Sequence, residues 1–187
     1  GTKFTKTADD GFNAGTFIYI NGGTIYAYST SNDAIDSNGK ITVTGGKVIA
    51  VGAGNPEGSF DCDRNTFKVT GGILVGIAGN TSSPTASVST QPSVILGSGT
   101  ANQLIHIQSN DGAEALTFLI PKAYNTMLFS SPKLKSNQTY KVYTGGNVSN
   151  GTPINGLYTS GTYSPGTQGT TFTTSSMVTK VGGSTGP

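Results

Sequence analysis

The sequence predicts an all-β protein: a parallel β-helix of about three coils, with a C-terminal antiparallel β region packed on it. Three observations carry that expectation. Gly–Gly pairs begin at residues 22, 45 and 71, spacings of 23 and 26 residues, and each follows a run of alternating apolar and polar side chains. A period of that size marks stacked units, none of which buries its apolar face alone. Charged residues make up only 11% of the chain and glycines number 28, with Ser, Thr and Asn prominent in the remainder. That is the composition of an extracellular β protein rich in tight turns. Finally, the period stops near residue 80 and gives way to shorter strand-like runs.

The repeat is justified column by column. Phe12, Ile35 and Phe60 occupy one apolar position of the three units. Ile18, Ile41 and Phe67 share the next, then Ile20, Val43 and Val69, and after the glycines Ile25, Val48 and Leu74. The residues between them (Tyr19, Thr42, Lys68) are polar or amphipathic, so each run alternates with period two as a half-buried strand does. Each unit reads as strand, Gly–Gly turn, strand, then an Asp/Asn/Gly loop; glycine suits a sharp corner that needs positive φ or close backbone approach. Identical columns suit parallel coils stacked about 4.8 Å apart rather than consecutive antiparallel hairpins. The chain opens directly at a full repeat, so the expectation is that further coils, or residues 1–8 with a partner chain, cover the first one.

Outward positions after the glycines break the polar rule. Tyr26 and Tyr28 are followed on the next units by Ile49 and Val51, then by Val75 and Ile77. A monomer rarely leaves such a patch bare, and the rest of the chain is the expected cover. That organisation assigns residues 1–80 to the coils, the Ser/Thr/Pro-rich 81–93 to a connector, and 94–187 to the second β region. Strands are expected there at Ser93–Leu96, Leu104–Gln108, Ala115–Ile120, Thr126–Ser130, Thr139–Tyr143 and Thr170–Thr174, with Asn110–Asp111–Gly112 as a hairpin turn.

The chemistry is concentrated in the loops that close the coils. Asp9, Asn32 and Glu57 align, as do Asp10, Asp33 and Gly58, and Asn13, Asp36 and Asp61, with Asp63 two residues on. Of the nine acidic residues only Asp111 and Glu114 lie elsewhere. Stacked carboxylates repel, which raises a pKa or recruits a cation. Ca²⁺ takes oxygen ligands of this kind, so Asp9, Asp10, Asp33, Asp36, Asp61 and Asp63 are the candidate metal ligands; the competing reading is turn chemistry, which also favours Asp and Asn. Asp61–Cys62–Asp63–Arg64–Asn65 begins like an EF-hand loop but lacks its Gly and closing Glu. Arg64, the single arginine, is expected to pair with Asp61 and Asp63. The lone Cys62 reads as a small core filler and the lone His106 as structural. No residue is assigned a catalytic role. Ten scattered lysines and a formal charge of +2 argue against nucleic acid, and no run of about 18 apolar residues is available to span a membrane.

Ala8–Gly11, Asp33–Gly39 and the Ile/Val–Thr–Gly–Gly strand ends, together with Thr139–Gly146, Gly156–Tyr163 and Thr170–Thr173, resemble a family of bacterial extracellular cellulose- and pectin-binding proteins with a pectate-lyase-like β-helix. The likeness runs from about Ala8 to Val181, although family members usually have more coils. The resemblance implies a right-handed parallel β-helix, calcium between coils, plant-wall polysaccharide as partner, an extracellular or cell-surface location and no established catalysis. Three functions follow as expectations. The first is a calcium-stabilised, non-catalytic polysaccharide binder, with Tyr19, Tyr26 and Tyr28 stacking on sugar. The second is a structural surface adhesin or spacer without a sugar site. The third is a calcium-dependent polysaccharide lyase.

Overall fold

The computed structural model describes residues 3–8 as backbone and residues 10–186 with their side chains. Every regular element among them is a β-strand. The repeat half forms β1 (Lys3–Ala8), β2 (Phe12–Ala14), β3 (Phe17–Ser29), β4 (Ile35–Ser37), β5 (Lys40–Val51), β6 (Phe60–Asp61) and β7 (Phe67–Ala78). The long strands β1, β3, β5 and β7 pair in parallel. The short strands β2, β4 and β6 form a second parallel sheet.

Registers match equivalent residues of successive repeats. Phe12 pairs with Ile35 and Ile35 with Phe60. Ile18, Ile41 and Phe67 follow one another across the long strands, as do Ile25, Val48 and Leu74. These columns meet in one core that contains Ile35, Ile41, Val43, Phe60, Phe67, Val69 and Leu74. Burying each such side chain contributes roughly 1.5–3 kcal/mol, and each repeat adds one short and one long strand to that core.

The Gly–Gly turn expected in each unit is instead a bend within one continuous strand of 13, 12 and 12 residues in β3, β5 and β7. The ladder slips in register at each pair, and Gly23, Gly46 and Gly72 hold φ of +80°, +93° and +86°. A Cβ on Gly46 would stand 2.9 Å from the Gly22 carbonyl carbon, and one on Gly72 3.0 Å from that of Gly45. A true turn would leave backbone groups unpaired between stacked neighbours. A bulge changes direction while the ladder continues on both sides.

The second half adds β8 (Ser93–Leu96), β9 (Leu104–Ser109), β10 (Glu114–Leu119), β11 (Thr126–Ser130), β12 (Thr139–Thr144), β13 (Asn147–Ser149), β14 (Thr162–Ser164), β15 (Thr167–Thr173) and β16 (Val178–Lys180). The first long sheet does not stop at residue 80. β11 pairs antiparallel with β7, β8 with β11, and β16 parallel with β8, so the order is β1-β3-β5-β7-β11-β8-β16. An antiparallel sheet of order β10-β9-β12-β15 packs over this one. Ile49, Val51, Val75 and Ile77 share a core with Ile107, Phe118, Phe129 and Tyr140. The outer apolar face of the repeats is therefore covered by the second half, and the ends of β5 (Val48–Val51) and β7 (Leu74–Ala78) are buried on both faces. This double burial explains why Val48–Val51 and Leu74–Ile77 read as near-continuous apolar runs.

Residues 81–92 serve as more than a connector. Ser82, Thr85 and Thr90 donate their backbone N–H groups to the carbonyls of Phe60, Phe67 and Val69. The hydroxyls of Ser82, Thr85 and Ser89 accept from the N–H groups of Cys62, Phe67 and Val69 at 3.0–3.1 Å. The segment thus occupies the edge beyond β6 and the first arm of β7. Its Ser/Thr content, low in complexity as sequence, supplies side-chain partners to an otherwise bare ladder.

Candidate metal centre and aromatic face

The β2–β4–β6 ladder positions the acidic residues. Asn13 pairs with Asp36, and Asp36 with Asp61, on successive parallel rungs. Oxygens of Asp33, Asp36 and Asp61 lie within 4.8 Å of one another, all three residues being partly buried. Local bonds hold them there. The Gly58 N–H donates to Asp33 Oδ1 at 2.5 Å. The Asn13 amide donates to Asp36 Oδ2 at 2.5 Å and to Asp10 Oδ2 at 3.4 Å. Asp61 Oδ1 accepts from the Asp63 N–H at 2.9 Å. Gly58, which stands where the earlier repeats carry Asp10 and Asp33, turns its backbone donor on Asp33; a Cβ there would lie 3.3 Å from that carboxylate.

The electrostatics follow from this crowding. Burial first, then the charges of Asp61, Glu57 and Asp36, push the Asp33 carboxyl up to about 6, against the lowering bond from Gly58. Burial, then Asp61, Asp10 and Asp63, push Asp36 up to about 6, against the Asn13 amide. The expected partner is missing: among the described residues Arg64 makes no ion pair. It sits in an exposed turn at φ +61°, next to Asp63 at +49°. Of the six acids expected to bind metal, three converge; Asp10 is joined through Asn13, Asp63 is exposed in the turn, and Asp9 lies outside the described residues. Asn13 is the member that sequence reasoning left out, although its column with Asp36 and Asp61 was visible.

The three tyrosines do not share one open face. Tyr26 and Tyr28, with ring centroids 6.2 Å apart, pack against the second-half core, and Lys122 Nζ lies 5.8 Å from the Tyr28 ring. Tyr19 is 56% exposed on the other arm of β3, with Phe17 beside it at 62%. Thr42 and Lys68 occupy the rungs next to Tyr19. Phe17 was overlooked because it precedes the apolar column, yet its spacing of two from Tyr19 places both on one side of the strand.

His106 is buried between strands. Its Nδ1 lies 2.7 Å from Thr117 Oγ1 and its Nε2 2.9 Å from Gln108 Oε1, and Tyr163 stacks on the ring at 3.9 Å. Cys62 is buried, its thiol donating to the Asn65 carbonyl at 3.3 Å. Comparison with family models, curated proteins and solved structures returns no match to this chain.

Proposed function

We propose that this chain is a non-catalytic, extracellular polysaccharide-binding protein whose repeat half is a right-handed parallel β-helix tied together by calcium, as in the cellulose- and pectin-binding family its sequence resembles. The observation that carries the reading is the convergence of Asp33, Asp36 and Asp61 oxygens within 4.8 Å, without a basic partner among the described residues. Three carboxylates from two consecutive repeats, Asp33 and Asp36 from one and Asp61 from the next, offer hard oxygen donors of the kind Ca²⁺ takes. The pKa values of Asp33 and Asp36, raised by burial first and then by neighbouring carboxylates, mark ionised forms that a divalent cation would favour. Asp33, Asp36 and Asp61 would hold the ion, and its contribution is cross-linking of repeats, with no step of bond making or breaking. Exposed Tyr19 and Phe17 supply flat apolar faces beside Thr42 and Lys68, a surface suited to the CH-rich face of a sugar ring.

A glycan array of plant-wall polysaccharides, with and without EDTA, tests the reading. Binding that weakens on chelation and with Tyr19→Ala supports it. Absence of binding to every glycan, with calcium still stabilising the fold, would leave a spacer or adhesin. Release of unsaturated, ultraviolet-absorbing products would replace it with a lyase.

A further inference from the structure

Sheet edges in the second half are guarded unequally. The outer edge of β10 is filled: the Leu119 N–H donates to the Gly156 carbonyl and the Tyr158 N–H to that of Thr117. The edge of the first arm of β7 is filled by residues 81–92. β16 is three residues long and carries the exposed Lys180. β15 has no such cover or charge. It is the outermost strand of the four-stranded sheet and seven residues long, with no charged side chain and no proline, and every residue except Phe172 is exposed. Proteins that stay apart place lysine, proline or a covering segment on an edge of this kind.

The free backbone groups follow from the ladder. The Thr174 N–H donates to the Gln138 carbonyl and the Thr174 carbonyl accepts from the Asn137 N–H, so residue 174 bonds inward. Alternation then turns the backbone groups of Thr171 and Thr173 outward. The Thr173 carbonyl accepts from Thr179 Oγ1 at 3.4 Å and that of Thr171 from its neighbour's hydroxyl, Thr170 Oγ1, also at 3.4 Å. Among the described residues no strand or loop other than β12 bonds its backbone to residues 167–173. The ladder with β12 slips between Gln168 and Thr171. Beside that slip a cleft of about 310 Å³ opens between the two sheets, lined by Leu96, Ile105, Val142, Thr170 and Val181, with three glycines and no charged residue. Val181 at this cleft is 39% exposed.

We propose that β15 pairs antiparallel with β15 of a second copy of this chain, about a two-fold axis at Thr171, so that the two four-stranded sheets run on as one. In that register Thr171 meets its own copy as a hydrogen-bonded pair, and Thr170 on the cleft side lies opposite the partner's Phe172. Threonine pairs across strands are favourable, and no like charges face each other because β15 has none. The contact is self-complementary, consumes both bare edges and closes. A foreign peptide is less suited, since the cleft offers hydroxyls and glycine backbone but no charge with which to select its sequence. The inference rests on neither the calcium nor the polysaccharide reading.

The test is sedimentation velocity of the full chain in EDTA from about 1 μM to 1 mM, paired with amide hydrogen exchange. The wild type passes from monomer to dimer within that range, and exchange in residues 167–173 slows by about tenfold or more as it does. Thr171→Lys sets like charges opposite each other and weakens the dimer by about tenfold or more. Thr171→Pro removes the central donor at a position whose N–H the monomer does not use, so it keeps its circular dichroism spectrum and stays monomeric. If the proline variant misfolds, the lysine variant carries the comparison alone. A wild type that is monomeric at every concentration, equal dimerisation of Thr171→Lys, or a dimer in which 167–173 exchange as fast as in the monomer overturns the proposal. Monomers in which that segment is protected only by an added Thr–Val repeat peptide also overturn it, in favour of a foreign strand.

Discussion

Val43 and Val142 are both buried valines in strands, yet their neighbours follow different rules. Val43 lies between Ile20 and Val69, its equivalents one repeat back and one repeat on. Val142 pairs with Ile107, which belongs to no repeat and runs the opposite way. In the repeat half a residue's partner is found by adding one period. In the second half it depends on how strands distant in sequence are brought together. Similar residue types thus make two architectures, and what separates them is periodicity rather than composition. The halves meet along one face of β5 and β7, so the difference in plan does not make them independent bodies.

The comparison breaks most severely at that face. Ile49 is 2% exposed and sits in the core shared by both halves. Ile49→Asp leaves a carboxylate buried without a partner and is expected to cost about 3–5 kcal/mol. Urea unfolding read by fluorescence of tyrosines in each half (Tyr26 and Tyr140) is expected to show one transition moved to lower denaturant. A shift confined to one set of probes would mean that the halves fold separately.

Calcium sharpens the contrast, since its proposed ligands lie only in the repeat half. A ligand bound only by the folded state adds about 2.7 kcal/mol at a hundredfold excess over Kd. Calcium should therefore raise the melting temperature. Asp36→Asn should abolish most of that rise while leaving the metal-free melting temperature equal or slightly higher, because a like-charge contact is removed. Indifference of the wild-type protein to EDTA would reduce the acidic loops to turn chemistry.

Glycine gives the next contrast. Gly46 and Gly145 hold φ of +93° and +74°, but a Cβ on Gly46 meets the Gly22 and Gly23 backbone at 2.9–3.0 Å, whereas one on Gly145 meets nothing within 4 Å. Both alanine variants incur the left-handed penalty of about 1 kcal/mol, and Gly46→Ala adds about 1–2 kcal/mol because the stacked repeat must give way. Equal losses in thermal denaturation would show that the bend is not tightened by stacking.

The smallest expected effect is on pH. Asp33 and Asp36 have folded-state pKa values raised to about 6 from 3.8. Between those values the folded protein binds more protons than the unfolded one, so these two groups make metal-free stability fall as pH rises from 4 to 6, and the loss levels off above. After allowance for solvent screening the effect is on the order of 1 kcal/mol. Saturating calcium, by favouring the ionised carboxylates, should flatten or reverse the slope. A metal-free melting temperature that rises steadily over this range would contradict the crowding assigned to the two carboxylates.

Legibility in the sequence follows the same division. Alignment on the glycines reproduced the rungs on either side of the Gly–Gly bends, because a parallel ladder repeats its own columns; at the bends the ladder slips, pairing Asn21 with Gly45 and Thr44 with Gly71. It also aligned Asp36 with Asp61 and placed Asp33 one turn of alternation away. Exposure was harder to read: Tyr19 and Tyr26 look alike in the sequence, and only the second half decides that Tyr26 is covered. The strands β8 to β12 stand out as apolar runs between turn residues. β13, β14 and β16 do not, since they are three residues each and rich in Ser, Thr and Asn. Insertion of β11 against β7 had no local signal, because antiparallel pairing at that separation leaves no mark on either strand. The role of 81–92 was hidden for a related reason: serine and threonine that bond backbone look the same as serine and threonine in a loose loop.

That segment has a consequence for growth. A parallel ladder ending in a bare strand is a template on which the next copy, from any molecule, can be laid. By filling the acceptors and donors of Phe67 and Val69 with its own groups, residues 81–92 end the pattern with something that does not repeat it. The stop is local and reads only the last rung. A gene segment of one period duplicated upstream would lengthen the parallel ladder without altering how it terminates, so ladder length and closure can evolve separately.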